Sequence, residues 1–130
     1  MRTIKFRGKV SKGYNEYFFK QKFVYGSAII CEDDISSTII NSEFEAEVDT
    51  DTIGQFTGLK DVNGVEIYEG DIVEYTQHHF NTDMLKTKRK AVEWKYDKWG
   101  VYETSAGESE MKVIGNIYET PELLTGALEK

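Results

Sequence analysis

The chain has 130 residues, 16 basic and 23 acidic, for a net charge of −7. That length folds without staples as one domain or two small lobes, and a single cysteine, Cys31, excludes an internal disulfide. The acidity argues against nucleic acid as the main partner, because phosphate contacts dominate such binding.

No apolar run reaches the roughly 20 residues of a bilayer span. The N-terminal MRTIKFRGKV lacks a signal-peptide apolar stretch. A cytoplasmic protein with no membrane partner is expected. Charge is uneven along the chain. Residues 1–25 hold seven basic side chains against one acid, residues 26–85 hold Lys60 against fourteen acids, and residues 86–130 hold eight of each. A basic end beside an acidic middle suits pairing within the fold or head-to-tail between copies, though most surface charges are simply solvated.

In chain order, residues 3–7 alternate as a strand with Ile4 and Phe6 on one face, ended by Gly8. Residues 14–19 and 23–31 are rich in aromatic and branched side chains, with a turn at residues 20–22. Gly26 marks a bulge or a close backbone approach. Cys31 reads as a small buried hydrophobe. Residues 37–40 and 44–48 are shorter strands, the second with its acids outward. Residues 49–52 form a turn whose Asp and Thr side chains hold backbone amides. As a calcium loop from Asp49 it has Gly54 in sixth place but Lys60 where the bidentate acid must stand, so calcium is rejected.

Residues 53–73, IGQFTGLKDVNGVEIYEGDIV, set four glycines among short apolar pieces. Asn63-Gly64 is the strongest short-range hairpin signal there, because both residues tolerate positive φ. Residues 71–75 alternate after a sharp turn at Glu69-Gly70. Residues 76–88 read as a polar, mobile loop. Residues 91–96 and 99–103 form an aromatic hairpin about Asp97-Lys98. Residues 111–118 are the last strand, with Gly115 as a bulge. Thr120 as N-cap, Pro121 at the first position and Glu122 in the first turn begin a short C-terminal helix. The expected class is mainly β, one domain over 1–130. It comprises a β-rich N-terminal lobe at 1–57 packed on a small SH3-like barrel at 58–130.

Catalytic chemistry finds little purchase. The histidines, His78 and His79, are adjacent on a polar stretch, so on a strand they point apart and do not share an ion. No Gly-x-Ser-x-Gly elbow and no phosphate-binding glycine fingerprint occurs. Carboxylate pairs are too numerous to single one out. No catalytic residue, metal ligand or cofactor is assigned, and the chain is expected not to be an enzyme. Candidate binding residues are Lys86, Lys88, Arg89 and Lys90 of the run KTKRK, with Trp99 and Tyr102 as aromatic partners. Such a run also suits a strand edge, where Lys blocks further pairing. Trp94 and Tyr96 alternate onto one face with Val92, a core pattern, whereas Trp99 falls in the other register.

These pieces, taken together, resemble one family. IKFRGK at 4–9, FVYGS at 23–27, FTGLKD at 56–61, Asn63-Gly64, IYEGDIV at 67–73, VIGNIYE at 113–119 and PELL at 121–124 are similar, in order, to the YopX family of phage- and prophage-encoded proteins. The chain departs from the family in the turn at 49–51, often Pro-containing, at Phe23, often Trp, and in a longer segment at 11–21. The resemblance implies a β-rich, self-associating accessory protein without an established activity, and it carries over no catalytic residues. The expected function is therefore a non-enzymatic, protein-binding β module that forms a homo-oligomer or binds a phage or host protein. Two alternatives stand beside it. One is a nucleic-acid module using the basic run with Trp99 stacking. The other is an acidic DNA mimic that blocks a host factor.

Overall fold

The computed structural model describes residues 3–11, 22–32, 35–78, 85–95, 98–100 and 111–124. The expected strand at 14–19 and the candidate Tyr102 lie outside them. The fold is mainly β, and it divides into two compact units, Met1–Phe56 and Thr57–Lys130.

The first unit contains β1 (Phe6–Lys9), β2 (Phe23–Ile29), β3 (Ser36–Ile40), β4 (Glu45–Asp49) and the start of β5 (Gly54–Lys60). They lie in the order β4-β3-β2-β1-β5. Alternation explains the pairing. In β4, Glu45 and Glu47 face out while Ala46 and Val48 face in. The inward residues join Val10, Val24 and Ile39 in one core, with Phe6, Ala28, Phe44 and Ile53 packed against it. The sheet curls until β1 meets β4: Val10 bridges Val48, and the Ser11 amide donates to the Glu47 carbonyl at 3.1 Å.

This curling corrects one expectation. Gly8 does not end the first strand; it sits inside β1 opposite Val24. A Cβ there would stand 2.7 Å from Val48 Cγ2, so β1 crosses Val48 only because residue 8 has no side chain. Gly26 is the close approach anticipated. At this residue β2 changes partner, from β1 (Phe6↔Gly26) to β3 (Ser27↔Ile40). Cys31 is a second correction: it is exposed, because β2 ends at Ile29 and the chain has left the core by then.

In the second unit the end of β5 turns into β6 (Glu66–Tyr68), followed by β7 (Asp71–His78), β8 (Leu85–Ala91), β9 (Glu93–Lys95), β10 (Lys98–Gly100) and β11 (Lys112–Asn116). One sheet has the order β11-β7-β8, and β9 pairs with β10. Ile67, Val73, Tyr75, Val92 and Met111 form the core. The segment expected as a polar loop is partly strand. The β7–β8 ladder continues to His78↔Leu85, because backbone pairing needs no apolar side chains once the register is set. The expected strand at 91–96 breaks at Val92, whose amide donates to the Asp71 carbonyl at 2.8 Å.

The register of β11 shifts between Val113 and Gly115, the expected bulge. The chain then turns on Asn116, whose Oδ1 accepts the amides of Tyr118 and Glu119 at 3.0 and 2.9 Å. A single 3-10 turn follows at Pro121–Leu124. The Thr120 hydroxyl does not cap it. It faces back, accepting the Asn116 amide and donating to the Asn116 carbonyl, both at 3.1 Å.

Candidate functional site

The glycine-rich stretch is built around two buried carboxylates, Asp61 and Asp71. Asp61 Oδ1 accepts the amides of Asn63 and Val65 at 2.8 and 2.9 Å. Its Oδ2 accepts the amide of Val113 at 2.9 Å. Burial pushes the Asp61 carboxyl up, but the Val113, Val65 and Asn63 amides, with the charge of Lys112, outweigh it and hold the group below its ordinary 3.8. Asp71 Oδ2 accepts the Tyr68 amide at 2.7 Å. Thr57 donates its hydroxyl to the Ile67 carbonyl at 2.7 Å and accepts the Leu59 amide at 3.1 Å. Between Tyr68 and Asp71 the chain turns at Gly70, with φ +93 and the Tyr118 ring 3.0 Å from where a Cβ would stand. Thr57, Asp61 and Asp71 of TGLKD and YEGD are thus engaged in holding turns.

The basic run lies on β8, the edge of the β11-β7-β8 sheet. The register sets Lys86 opposite Gln77, Lys88 opposite Tyr75, Arg89 opposite Glu74 and Lys90 opposite Val73. Successive strand residues point to opposite faces, so Arg89 lies on the other face from Lys88 and Lys90. Arg89 Nε donates to Glu74 Oε2 at 3.0 Å, with the side chains 25% and 32% exposed. Trp99 belongs to the separate β9–β10 pair, opposite Trp94. The structure therefore divides the expected binding residues between two faces of one sheet and a second hairpin. A partly exposed ion pair of this kind contributes little. A double-mutant cycle with Arg89→Gln and Glu74→Gln should give a coupling below about 1 kcal/mol in urea unfolding.

The sequence reading missed a different surface. Where β2 turns into β3, Ile29, Ile30 and Ile35 are 58%, 50% and 85% exposed, and Tyr25 is 45% exposed further along β2. The backbone beneath them is pinned. The Cys31 amide donates to Ser37 Oγ at 3.0 Å, and the Thr50 amide donates to the Ile35 carbonyl at 2.8 Å. The apolar side chains are thus displayed from a fixed frame. The register sets Glu47 in line with Thr38 and Ile29 across β4, β3 and β2, and Glu32, Glu45 and Glu47 are all exposed. Several exposed apolar side chains on a fixed backbone are what an interaction surface needs. Charge-run reasoning overlooked it because Ile29 and Ile30 continue a strand that otherwise reads as core.

Among the described residues, no group of three His, Cys, Asp or Glu side chains is placed to hold a metal ion. Nor is any helix among them long and apolar enough to cross a membrane.

Comparison with known proteins accords with this architecture. The chain is similar over its length to protein EF1440 from Enterococcus faecalis, known from a crystal structure. The two share 23% identity and a TM-score of 0.54, covering 95% of this chain and 99% of that one, a likeness of fold. No curated protein matches the chain. The model of the YopX protein family matches residues 5–125. With nearly the whole chain matched and the signature residues accounted for by the turns they hold, this protein belongs to the YopX family.

Proposed function

We propose that the chain is a non-enzymatic phage or prophage accessory protein of the host cytoplasm, which works by binding protein, first of all a second copy of itself. The observation that carries this reading is the set of exposed isoleucines around the β2–β3 turn, displayed from a pinned backbone, with exposed acids on β4. Charge supports a second copy as the occupant. The first 25 residues carry a large basic excess and residues 26–85 a large acidic one, so a head-to-tail contact matches opposite signs and closes into a ring where the rotation permits. In this reading residues 58–130 are a small SH3-like barrel and Pro121–Leu124 opens its short C-terminal helix. The engagement of Asp61, Asp71 and Thr57 in turns supports a binding role over catalysis.

Light scattering after size exclusion tests the reading. The wild-type chain should elute as a defined oligomer that loosens as salt rises, because screening weakens exposed charge pairs. The double variant Ile29→Glu with Ile35→Glu should elute as a monomer with the wild-type circular dichroism spectrum, since both side chains are exposed. A wild-type monomer at every salt concentration would sink self-association. An unchanged oligomer in the variant would move the interface off this face.

A further inference from the structure

The geometry points to Asn63-Gly64 as a dormant deamidation site that Asp61 holds shut. An Asn-Gly bond is the sequence most open to succinimide formation, since glycine leaves its nitrogen unhindered. Both residues are exposed here, so water and base reach them freely. The reaction requires the Gly64 nitrogen, after losing its proton to solvent base, to attack Asn63 Cγ. The N–Cγ bond forms, the Cγ–Nδ2 bond breaks, and the side-chain nitrogen takes a proton from water and leaves as ammonia. Water then opens the ring at either carbonyl. The product at this position is an ordinary aspartate, or an isoaspartate with an extra methylene in the main chain.

In the folded chain that nitrogen is engaged. The Gly64 N–H donates to the Asp61 carbonyl at 3.0 Å. The amides on either side, of Asn63 and Val65, both donate to Asp61 Oδ1. The Asp61 side chain is itself fixed through Oδ2 by the Val113 amide. Rotating the Asn63-Gly64 peptide into attack geometry therefore means releasing several bonds that converge on one residue. Exposure alone would leave the site reactive; the turn around Asp61 keeps it closed. The bond becomes an irreversible record of time the hairpin has spent open.

The test is peptide mapping by mass spectrometry of the full chain, incubated at mildly alkaline pH natively and in urea. Deamidation and isoaspartate at Asn63 are followed over time. Native Asn63 should react at least about tenfold more slowly than in urea, because only locally opened molecules can react. Asp61→Ala removes the side-chain bonds to Asn63, Val65 and Val113 and should bring the native rate to within about threefold of the urea rate, since local opening then costs little. Asp71→Asn removes a buried carboxylate outside the Asn63 turn and should leave Asn63 slow. Equal native and urea rates would overturn the proposal. So would an Asp71→Asn variant as reactive as Asp61→Ala, since protection would then belong to global folding.

Discussion

Replacing Asp61 by Asn should lower stability by about 3 kcal/mol, through two contacts that an amide cannot reproduce together. Both carboxylate oxygens of Asp61 accept backbone amides. An asparagine offers one carbonyl oxygen, and its NH2 group must then face a donor, either Val113 N–H or the Asn63 and Val65 pair. A buried donor left against a donor costs the full desolvation of that group. The measurement is a urea midpoint followed by tryptophan fluorescence, which reports the second unit through Trp94 and Trp99. The pH dependence carries a second signature. Folding lowers the Asp61 pKa below 3.8. Its stabilisation is therefore complete above that value and is lost as pH falls through the lower folded value. Wild type and variant should differ most near neutrality and converge in strong acid. A variant gap that stays constant across that acid range would show that the charge of Asp61 contributes nothing.

Gly26→Ala should be about as damaging, at roughly 3 kcal/mol, for a steric reason. The added Cβ would collide with the Ile40 carbonyl oxygen and stand 2.9 Å from the Ile40 carbonyl carbon. Both atoms are backbone of β3, so no side chain can swing aside. Relief requires β2 and β3 to separate at the point where β2 hands over from β1 to β3. The neighbouring Ser27 is exposed, so Ser27→Ala should stay within about 0.5 kcal/mol of wild type. Far-UV circular dichroism during urea unfolding separates the two. Equal midpoints for the two variants would mean that the sheet yields at this corner without cost.

The strands were legible where side-chain alternation is local. Residues 44–48 read as a strand from Phe-Glu-Ala-Glu-Val alone, one residue off the observed Glu45–Asp49, and Gly115 announced its bulge. The errors have more than one cause, and partners distant in the chain are one of them. Gly8 looks like a breaker until Val48 is known to lie across it. Thr120 looks like a cap until Asn116 claims its hydroxyl. Residues 76–78 and 85–88 look like parts of a loop because most of their side chains are polar, yet the ladder that joins them is made of backbone. The site followed the same rule. Asp61 with Asn63-Gly64 carries the local signature of an Asp-capped turn, and two of its three side-chain bonds were open to sequence reading. The third, to Val113, was not. The basic run was visible, but its division between two faces became visible only with the β7–β8 register.

The bond from Val113 to Asp61 spans 52 residues, and that span orders events during synthesis. The first unit has its strand partners once Phe56 has emerged, since its amide donates to the Lys5 carbonyl just beyond the Phe6↔Gln55 pair. The turn around Asp61 must wait for a strand that leaves the ribosome much later. Until then its carboxylate stands half-satisfied beside an unfilled core, because long-range pairing forms only after loop closure. The chain therefore folds in two stages set by the direction of translation, and a chain arrested with Phe56 outside the exit tunnel and Val113 still inside it would display a finished first unit and an open second one.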